Sequence, residues 1–442
     1  MSMTYDLTLA ELLNCCESFP NLSGYQICVV RDIHGRLRLV LQPGPSASAI
    51  DTVKLSDLLQ QRLDGYFVAP ILMTTSQSPH ERRLAQEIWQ QKTPWPPTWP
   101  QSTVDPLSQA QTAIDQSRYG AFQRVLSKEE WLSSAGPQSP WPLRPQKTPP
   151  IVSFYSFKGG VGRSTLLGIF AWHLASEGHK VCILDLDLEA PGIGTLLNAR
   201  SSRGVLDLII DHVATGQTDL SGSFSRAESL AALADQVTVF PAGNMNWAYL
   251  EKLGRLDFAA QSPLHTNGSP VLIALKEILA AIRREHKPDY ILIDSRAGLH
   301  DLGGLSLHAL SHIDVLVARA SEQNYLGMEL TLQALSRRRR TADTLRCLTV
   351  HSFAPLPQDQ PRHDLEVRGF RERMYALFTN HVYVGQSVPA LDDPLSAHLP
   401  WLFVHHEALE RASLLEPPLV PPLTDPTMQA MYSRFKDLAV LP

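Results

Sequence analysis

The sequence predicts an α/β protein built on a doubly wound, mostly parallel sheet, preceded by a small N-terminal α+β domain and a Pro/Trp-rich linker. From residue 151 onward, short apolar runs alternate with helical stretches, which is typical of βαβ units. A glycine-rich turn lies between the first apolar run and the first helical stretch. With 442 residues, 44% hydrophobic, the chain is long enough for one large domain and a smaller one. We expect ligands at the carboxyl ends of the strands.

Residues 1–92 are predicted to form the small α+β accessory domain. Its expected elements are a helix, a β-hairpin, a second helix, an apolar run and a third helix, over 7–15, 25–41, 55–63, 66–73 and 80–91. Cys15 and Cys16 have no flanking cationic cluster, so we interpret them as small apolar residues that pack a helix.

Residues 93–149 differ sharply in composition, because Trp-Pro and Pro-Pro pairs recur through them. This pattern predicts a linker or wrap-around arm with one helix, over 110–131. The Trp-Pro pairs either dock onto a partner or lie against their own chain, and the second reading is favoured.

Residues 150–442 are predicted to form the large α/β domain. Strands are expected over 151–155, 181–186, 237–240, 290–293, 315–318, 348–352 and 382–385. Helices are expected over 164–176, 271–284, 325–338 and 365–379.

The run from Lys158 to Thr165 predicts a phosphate-binding loop, because an apolar strand precedes it and a helix follows. Its glycines let backbone N–H groups converge on phosphate oxygens while the helix N-terminus faces the same anion. Ser164 would place its hydroxyl on Mg²⁺, and Thr165 would reach the α-phosphate. Arg163 stands where the usual loop lysine contacts the β/γ oxygens. The expected nucleotide-binding residues are Gly159, Gly160, Val161, Gly162, Arg163, Ser164 and Thr165.

This loop resembles the KGGVGK[ST][ST] loop of the ParA/MinD group of deviant Walker A ATPases. With arginine in the lysine position it looks like the KGGVGR variants of that group. It departs from the general GxxxxGK[ST] pattern at Phe157 and Arg163. The resemblance covers residues 150–441. It implies ATP and Mg²⁺ as ligands and a nucleotide-sandwich homodimer, in which Lys158 reaches the partner's phosphates.

Two acidic strand ends follow the loop. Asp185 and Asp187 end the second strand, and carboxylates at i and i+2 point to one face. The resemblance implies that Asp187 orients the attacking water and that Asp185 supports the Mg²⁺ shell. Asp294 ends a later apolar strand, as a Walker B acid does. We therefore expect Ser164, Asp185 and Asp294 at the metal and Lys158, Asp187 and Arg163 in catalysis.

The residues after Asp294 occupy the place of the family's second switch, where a γ-phosphate contact could be converted into loop movement. Arg296 in this segment either supplies cationic stabilisation or forms a surface salt bridge, and both readings stay open. Farther on, His351 or Ser352 stands where the family commonly has an asparagine that recognises adenine. Adenine specificity therefore rests on the resemblance.

Two other segments have competing interpretations. The basic run 337–340 either binds DNA backbone or ends a helix by complementing its macrodipole, and the second is favoured. The apolar positions of 428–441 favour core packing over a membrane-binding helix, because only Arg434 and Lys436 are cationic there.

Composition excludes several classes of protein. A net charge of -5 gives no global basic field toward nucleic acid, and the five cysteines lack the spacing of a zinc, iron-sulfur or disulfide framework. The first residues lack a basic stretch followed by an apolar one, and no apolar run reaches about 18 residues. We expect a cytoplasmic protein without stable membrane insertion.

Together these features predict a Mg-dependent ATPase that acts as a dimerisation switch on a partner protein, recruited through the N-terminal domain. The resemblance implies a setting in bacterial anti-phage or other conflict systems. The alternatives are a ParA-like DNA-partition ATPase, a bacterial tyrosine kinase, disfavoured because the C-terminus lacks a tyrosine cluster, and a nucleotide-binding scaffold in which Arg163 has abolished turnover.

Overall fold

The structure is a computed structural model that describes residues 3–95, 116–125, 127–133, 139–144, 147–256, 269–339, 345–419 and 425–440. It divides into two compact units, Met1–Leu126 and Ser127–Pro442. None of the helices within these ranges is long and apolar enough to cross a bilayer.

The first unit is built on a five-stranded sheet. Its strands are β1 (Tyr25–Arg31), β2 (Leu37–Pro43), β3 (Leu72–Met73), β4 (Thr93–Pro94) and β5 (Tyr119–Gln123). Their order is β3-β2-β1-β5-β4. The antiparallel pairing of β1 with β2 confirms the predicted hairpin, and β1 pairs in parallel with β5 on its other side.

Three helices cover the two faces of this sheet: α1 (Tyr5–Ser18), α2 (Thr52–Leu63) and α3 (Pro79–Gln91). Because side chains alternate along a strand, Ile27 packs with the residues of α1 and α2, whereas Cys28 packs with those of α3. Cys15 and Cys16 are buried in the first of these clusters, which confirms their interpretation as packing residues. Short 3-10 helices span Leu22–Gly24, Asp64–Tyr66 and Gln116–Arg118.

The predicted linker contributes to both units. The helix expected over 110–131 is wrong where the structure describes it, because 119–123 is strand β5 and only Gln116–Arg118, a 3-10 helix, and Glu129–Leu132 are helical; residues 110–115 and 126 lie outside the described residues. Tyr119 and Phe122 of β5 pack into the two opposite cores of the first unit. Burial on both faces therefore favours a strand. Residues 127–133 and 139–144 belong to the second unit, whereas the sequence placed a domain boundary at 149/150.

The second unit contains an eight-stranded sheet. Its strands are β6 (Ile151–Tyr155), β7 (Val181–Asp185), β8 (Ser225–Arg226), β9 (Val237–Phe240), β10 (Tyr290–Asp294), β11 (Ile313–Ala318), β12 (Cys347–Ala354) and β13 (Trp401–Val404). Their order is β13-β12-β11-β6-β10-β7-β9-β8, and all pairs are parallel except β8–β9. The fold is thus the predicted doubly wound, mostly parallel α/β fold.

Helices cover both faces of this sheet. They are α4 (Glu129–Leu132), α5 (Arg163–Ser176), α6 (Ile193–Leu196), α7 (Val205–Thr215), α8 (Trp247–Leu253), α9 (Pro270–His286), α10 (Asp301–Leu305), α11 (Glu322–Arg338), α12 (Gln360–His381), α13 (Glu407–Glu410) and α14 (Pro426–Val440). Two 3-10 helices, Glu228–Gln236 and Pro417–Leu419, and a π-helical turn, Ser306–Leu310, complete the unit.

The structure confirms six of the seven predicted strands and all four predicted helices of this unit, each within a few residues. The strand expected over 382–385 is wrong, because these residues form a turn after α12 and the last strand of the sheet is β13. On α14, Met428, Met431 and Phe435 are buried in the core beside Phe170. The C-terminal helix therefore packs into the domain, as expected.

Candidate functional site

The glycine-rich loop connects the carboxyl end of β6, the central strand of the sheet, to the first turn of α5. Gly160 and Gly162 have positive φ angles of 72° and 78°, where glycine has no steric penalty. A Cβ atom at Gly162 would also lie 3.2 Å from the rings of Phe353 and Phe403. The loop therefore leads directly into the N-terminus of α5, where backbone N–H groups favour an anion.

Arg163, the first residue of α5, lies beneath this loop with 7% of its surface exposed. Its Nε donates to Asp294 Oδ1 at 2.7 Å, and its Nη2 donates to Asp187 Oδ2 at 2.8 Å. Burial alone would lower the pKa of the guanidinium, but the carboxylates of Asp294 and Asp187 outweigh it and raise the pKa. Arg163 is therefore a buried cation held between two acids.

The three predicted acids lie together because their strands are neighbours. β10 pairs with β7, and Asp294 is the register partner of Asp185. Ser164 Oγ donates to Asp294 Oδ2 at 2.6 Å, and Asp185 Oδ1 accepts the backbone N–H of Asp187 at 3.1 Å. The structure thus joins the loop to both acidic strand ends.

Asp185 carries the clearest sign of an unmet ligand. The residue is fully buried, and its Oδ2 has no hydrogen-bond partner among the described residues. Burial raises the pKa of Asp185 well above its ordinary value, and the nearby Asp294 raises it further. Burial also raises the pKa of Asp294, although Arg163 opposes this. A carboxylate oxygen aimed into such a site suits a hard cation, so Asp185, Asp294 and the Ser164 hydroxyl fit Mg²⁺ by their chemistry.

Arg296 forms one partly buried ion pair and one exposed ion pair beside the site. Its Nη1 donates to Asp187 Oδ1 at 2.8 Å, and its Nη2 donates to Glu189 Oε2 at 2.9 Å. Glu189 Oε1 also lies 2.9 Å from Nε2 of His300. Neither Glu189 nor His300 belongs to a motif that sequence analysis identified. The sequence indicates these two residues only by position, because each lies a few residues after an acidic strand end.

The rest of the loop differs in exposure. Lys158, Gly159 and Gly160 are exposed, whereas Val161 is buried and its carbonyl accepts the Ser352 hydroxyl at 2.5 Å. Thr165 is half-buried. Lys158 is thus placed where another molecule could meet it, and Val161 fixes the loop to β12.

Phe157, the residue that breaks the general loop pattern, packs on Gly327 of α11. A Cβ atom at Gly327 would lie 1.9 Å from Cγ of the Phe157 ring. The Phe157 ring therefore fills space that is available only because residue 327 is a glycine. This contact fixes the position of the residue that precedes the loop. Sequence analysis missed this contact, because it joins residues 170 positions apart.

The carboxyl end of β12 differs from the expectation at the base-binding position. His351 is fully buried and stacks on Phe370 of α12, and the Ser352 hydroxyl is bonded to the loop carbonyl. The next residue, Phe353, has a positive φ of 54° and lies under the Arg319 guanidinium at 4.2 Å. Phe353 and Arg319 are therefore the half-buried side chains at this strand end, and the sequence gave no signal for them.

The basic run at the end of α11 is largely internal. Arg338 pairs with Glu130 at 2.7 Å and Arg339 with Asp314 at 2.8 Å, and each guanidinium is 4% exposed or less. Arg337 is half-buried, and Arg340 lies outside the described residues. The described part of the run thus anchors the helix end, which agrees with the interpretation favoured by the sequence.

A family comparison identifies the segment that holds the site. Residues 148–302 match the model of the ParA family, described as NUBPL iron-transfer P-loop NTPase. The segment contains the loop, Asp185, Asp187, Asp294 and Arg296.

Curated relatives match only a short stretch. The iron-sulfur cluster carrier protein of Escherichia coli (strain K12) is 47% identical over 53 residues, which are 12% of this chain and 14% of that protein. The iron-sulfur cluster carrier protein of Clostridium perfringens is 40% identical over 53 residues, 12% of this chain and 19% of that protein. The match therefore spans less than a fifth of the length of either relative.

Solved structures align over more of the chain. MinD of Pyrococcus horikoshii OT3, complexed with Mg-ADP, aligns with a TM-score of 0.41 and 16% identity, covering 66% of this chain and 96% of that one. Apo McdA of Cyanthece aligns with a TM-score of 0.44 and 15% identity, covering 65% and 98%.

Proposed function

We propose that this chain, whose residues 148–302 form a ParA/MinD-like P-loop NTPase segment, binds ATP with Mg²⁺ and hydrolyses it slowly, as a dimerisation switch that regulates a partner protein. The observation that carries the proposal is the buried Asp185 oxygen without a partner, beside Asp294, Ser164 and a glycine-rich loop at a helix N-terminus. This arrangement has the donors for phosphate and the acceptors for a cation in one place.

Phosphate binding would change the partners of Arg163. Its guanidinium neutralises Asp187 and Asp294. The β/γ oxygens of ATP would compete for the same N–H groups, and a guanidinium can bind phosphate with two parallel hydrogen bonds. Arg163 would then supply positive charge to the phosphates, as the loop lysine does in other P-loop proteins.

Ser164, Asp185 and Asp294 would hold Mg²⁺, which supplies charge neutralisation on the phosphate oxygens. Asp187 would have the separate task of orienting water, because a carboxylate oxygen released by Arg163 becomes free to accept a water proton. Exposed Lys158 would complete the site of a second copy in a nucleotide-sandwich dimer. These roles rest on the positions of the side chains around one loop.

For the regulated partner, we propose a protein that the first unit recruits, in a bacterial anti-phage or other conflict system. This assignment rests on the resemblance of the loop to the KGGVGR variants. The buried ion pairs of Arg338 and Arg339 remove much of the support for DNA partition. Iron-sulfur carriage, which the relatives' names describe, gains no support here, because all five cysteines are buried.

The test is ATP binding and hydrolysis by the purified protein with Mg²⁺, alongside the variant Asp187→Asn. We expect slow wild-type turnover, and a loss of about 100-fold or more in the variant at nearly unchanged ATP affinity, because a positioned acid or base contributes about 10²–10⁴-fold. Asp211→Asn is the matched control, because Asp211 is an exposed acid on α7 that pairs with Arg203.

Three results would revise the proposal. Absence of ATP binding by the wild type would remove it. Tight binding without turnover would identify a nucleotide-binding scaffold. An equal loss of turnover in Asp187→Asn and Asp211→Asn would show that the effect comes from removing a negative charge and not from a water-orienting role of Asp187.

A further inference from the structure

Arg296 joins the two segments that leave the acidic ends of neighbouring strands. Asp294 and Asp185 are register partners, so the residues two positions beyond each, Arg296 and Asp187, also come side by side. The guanidinium divides its two terminal nitrogens between Asp187 Oδ1 and Glu189 Oε2, at 2.8 and 2.9 Å. It therefore fixes the segment after β7, which carries Asp187 and Glu189, to the segment after β10.

The two arginines hold different oxygens of the same carboxylate. Arg163 occupies Asp187 Oδ2, and Arg296 occupies Oδ1. Only 24% of the Arg296 side chain and 8% of the Asp187 side chain are exposed, so water screens this pair much less than a surface pair.

His300 supports this contact from the start of α10. Its Nδ1 accepts the backbone N–H of Leu302 at 3.2 Å, so the ring proton is on Nε2 and points to Glu189 Oε1 at 2.9 Å. Glu189 is thereby held on both oxygens, by His300 and by Arg296. A chain of four side chains thus connects the residues around α10 to Asp187.

We infer that Arg296 is the positioning residue of Asp187, which holds that carboxylate in its water-orienting geometry once nucleotide has displaced Arg163. The inference rests on the proposed function and deepens it, because it assigns the control of Asp187 to the segment after β10. Arg296 itself contacts neither substrate nor metal in this role, and it acts through Asp187.

The first test compares the kinetics of Arg296→Ala and Arg296→Lys with wild type. We expect kcat to fall by about 100-fold in Arg296→Ala, because small misplacement of a catalytic group has an effect of that size, while KM changes by less than about threefold. Arg296→Lys should recover part of kcat, since an ammonium can still bond Asp187 Oδ1 but cannot bridge to Glu189. Arg226→Ala, which removes an exposed arginine paired with Asp235, is the control and should leave both constants unchanged.

An unchanged or increased kcat in Arg296→Ala would overturn the inference. An increase in KM without a fall in kcat would overturn it as well. Wild-type turnover in the same assay keeps this failure separate from a failure of the proposed function.

A second test does not require turnover. The backbone N–H groups of Asp187 and Ala190 are bonded to Asp185 Oδ1 and to the Asp187 carbonyl, so their hydrogen exchange reports whether the segment is held. In protein saturated with Mg²⁺ and a nonhydrolysable ATP analogue, where the inference leaves Arg296 as the partner of Asp187, we expect faster exchange over 186–192 in Arg296→Ala and wild-type exchange in Arg226→Ala. Equal exchange in Arg296→Ala and wild type would overturn the inference, even in a protein that binds ATP without hydrolysing it.

Discussion

At the scale of single residues, Arg163, which stands in the place of the usual loop lysine, determines how the ion pairs of the site are arranged. A planar guanidinium can bond two carboxylates that point at its different nitrogens, whereas an ammonium is a compact point charge. Arg163 uses this geometry to bridge Asp294 and Asp187, which leave β10 and β7. Arg163 therefore ties the start of α5 to both acidic strand ends through a buried ion-pair cluster.

Removal of this arginine should destabilise the protein strongly. We expect Arg163→Ala to lower the free energy of unfolding by about 3–5 kcal/mol, because it leaves the buried Asp294 without its cation and Asp187 with Arg296 as its remaining cationic partner. Arg203→Ala, which breaks the more exposed pair with Asp211, should cost about 1 kcal/mol or less. Urea unfolding of nucleotide-free protein measures both values.

The loss of unfolding free energy caused by Arg163→Ala, here called the deficit, should also grow as the pH rises. Burial holds the folded-state pKa of Asp294 above its ordinary value even though Arg163 lowers it, so removing Arg163 should raise that pKa further. Stability falls as the pH rises from the unfolded pKa of such an acid to its higher folded-state pKa, so the deficit should grow from acidic to neutral pH. A deficit no larger than that of Arg203→Ala at neutral pH would contradict the buried cluster.

The positions of the site residues were predictable, but their partners were not. The loop and the three acids follow strand ends, and strand ends of a parallel sheet meet at one edge. The pairing of Arg163 with Asp187 and of Arg296 with Glu189 depends on which strands are neighbours and in which register. That information is tertiary, so no local pattern contains it.

At the scale of elements, the two errors in the fold have one cause. The turn at 382–385 is apolar because Val382 and Tyr383 are buried, and the Tyr383 hydroxyl is hydrogen-bonded to His398. The last strand of the sheet is instead the four-residue segment β13. Likewise, β5 acquires its pairing from β1, about 90 residues earlier in the chain. Short apolar segments carry too little periodicity to separate strand, turn and helix.

The packing of α11 on the loop gives an element-scale prediction. Gly327→Ala should displace the Phe157 ring, because the new Cβ would lie 1.9 Å from it. Overpacking of this kind costs about 1–3 kcal/mol, and the shifted ring should weaken ATP binding as well. Gly369→Ala is the control on α12, where no atom lies within 4 Å of the new Cβ, and it should stabilise slightly.

Thermal unfolding and ATP titration of the two glycine variants distinguish their effects. If Gly327→Ala binds ATP as tightly as Gly369→Ala does, the position of Phe157 has no influence on the loop.

At the scale of the whole molecule, the distribution of cations separates internal from external roles. Arg163, Arg338 and Arg339 are buried in ion pairs, whereas Lys158 is exposed at the carboxyl edge of the large sheet. A net charge of -5 provides no general attraction to polyanions. The exposed lysine is therefore suited to one local contact, and a triphosphate held by a second copy would satisfy it.

This placement leads to a prediction for assembly. With Mg²⁺ and a nonhydrolysable ATP analogue, we expect the wild-type protein to double its mass in solution, whereas Lys158→Ala should stay monomeric and bind the analogue with similar affinity. Lys158 would act only across the interface, so its loss should remove dimerisation and spare binding in the same subunit.

Lys180→Ala is the matched control, because Lys180 is also exposed but lies at the amino end of β7, on the opposite edge of the sheet. Light scattering after size-exclusion chromatography measures the masses. A Lys158→Ala dimer would remove the cross-subunit role, and a monomeric wild type saturated with the analogue would remove the nucleotide sandwich itself.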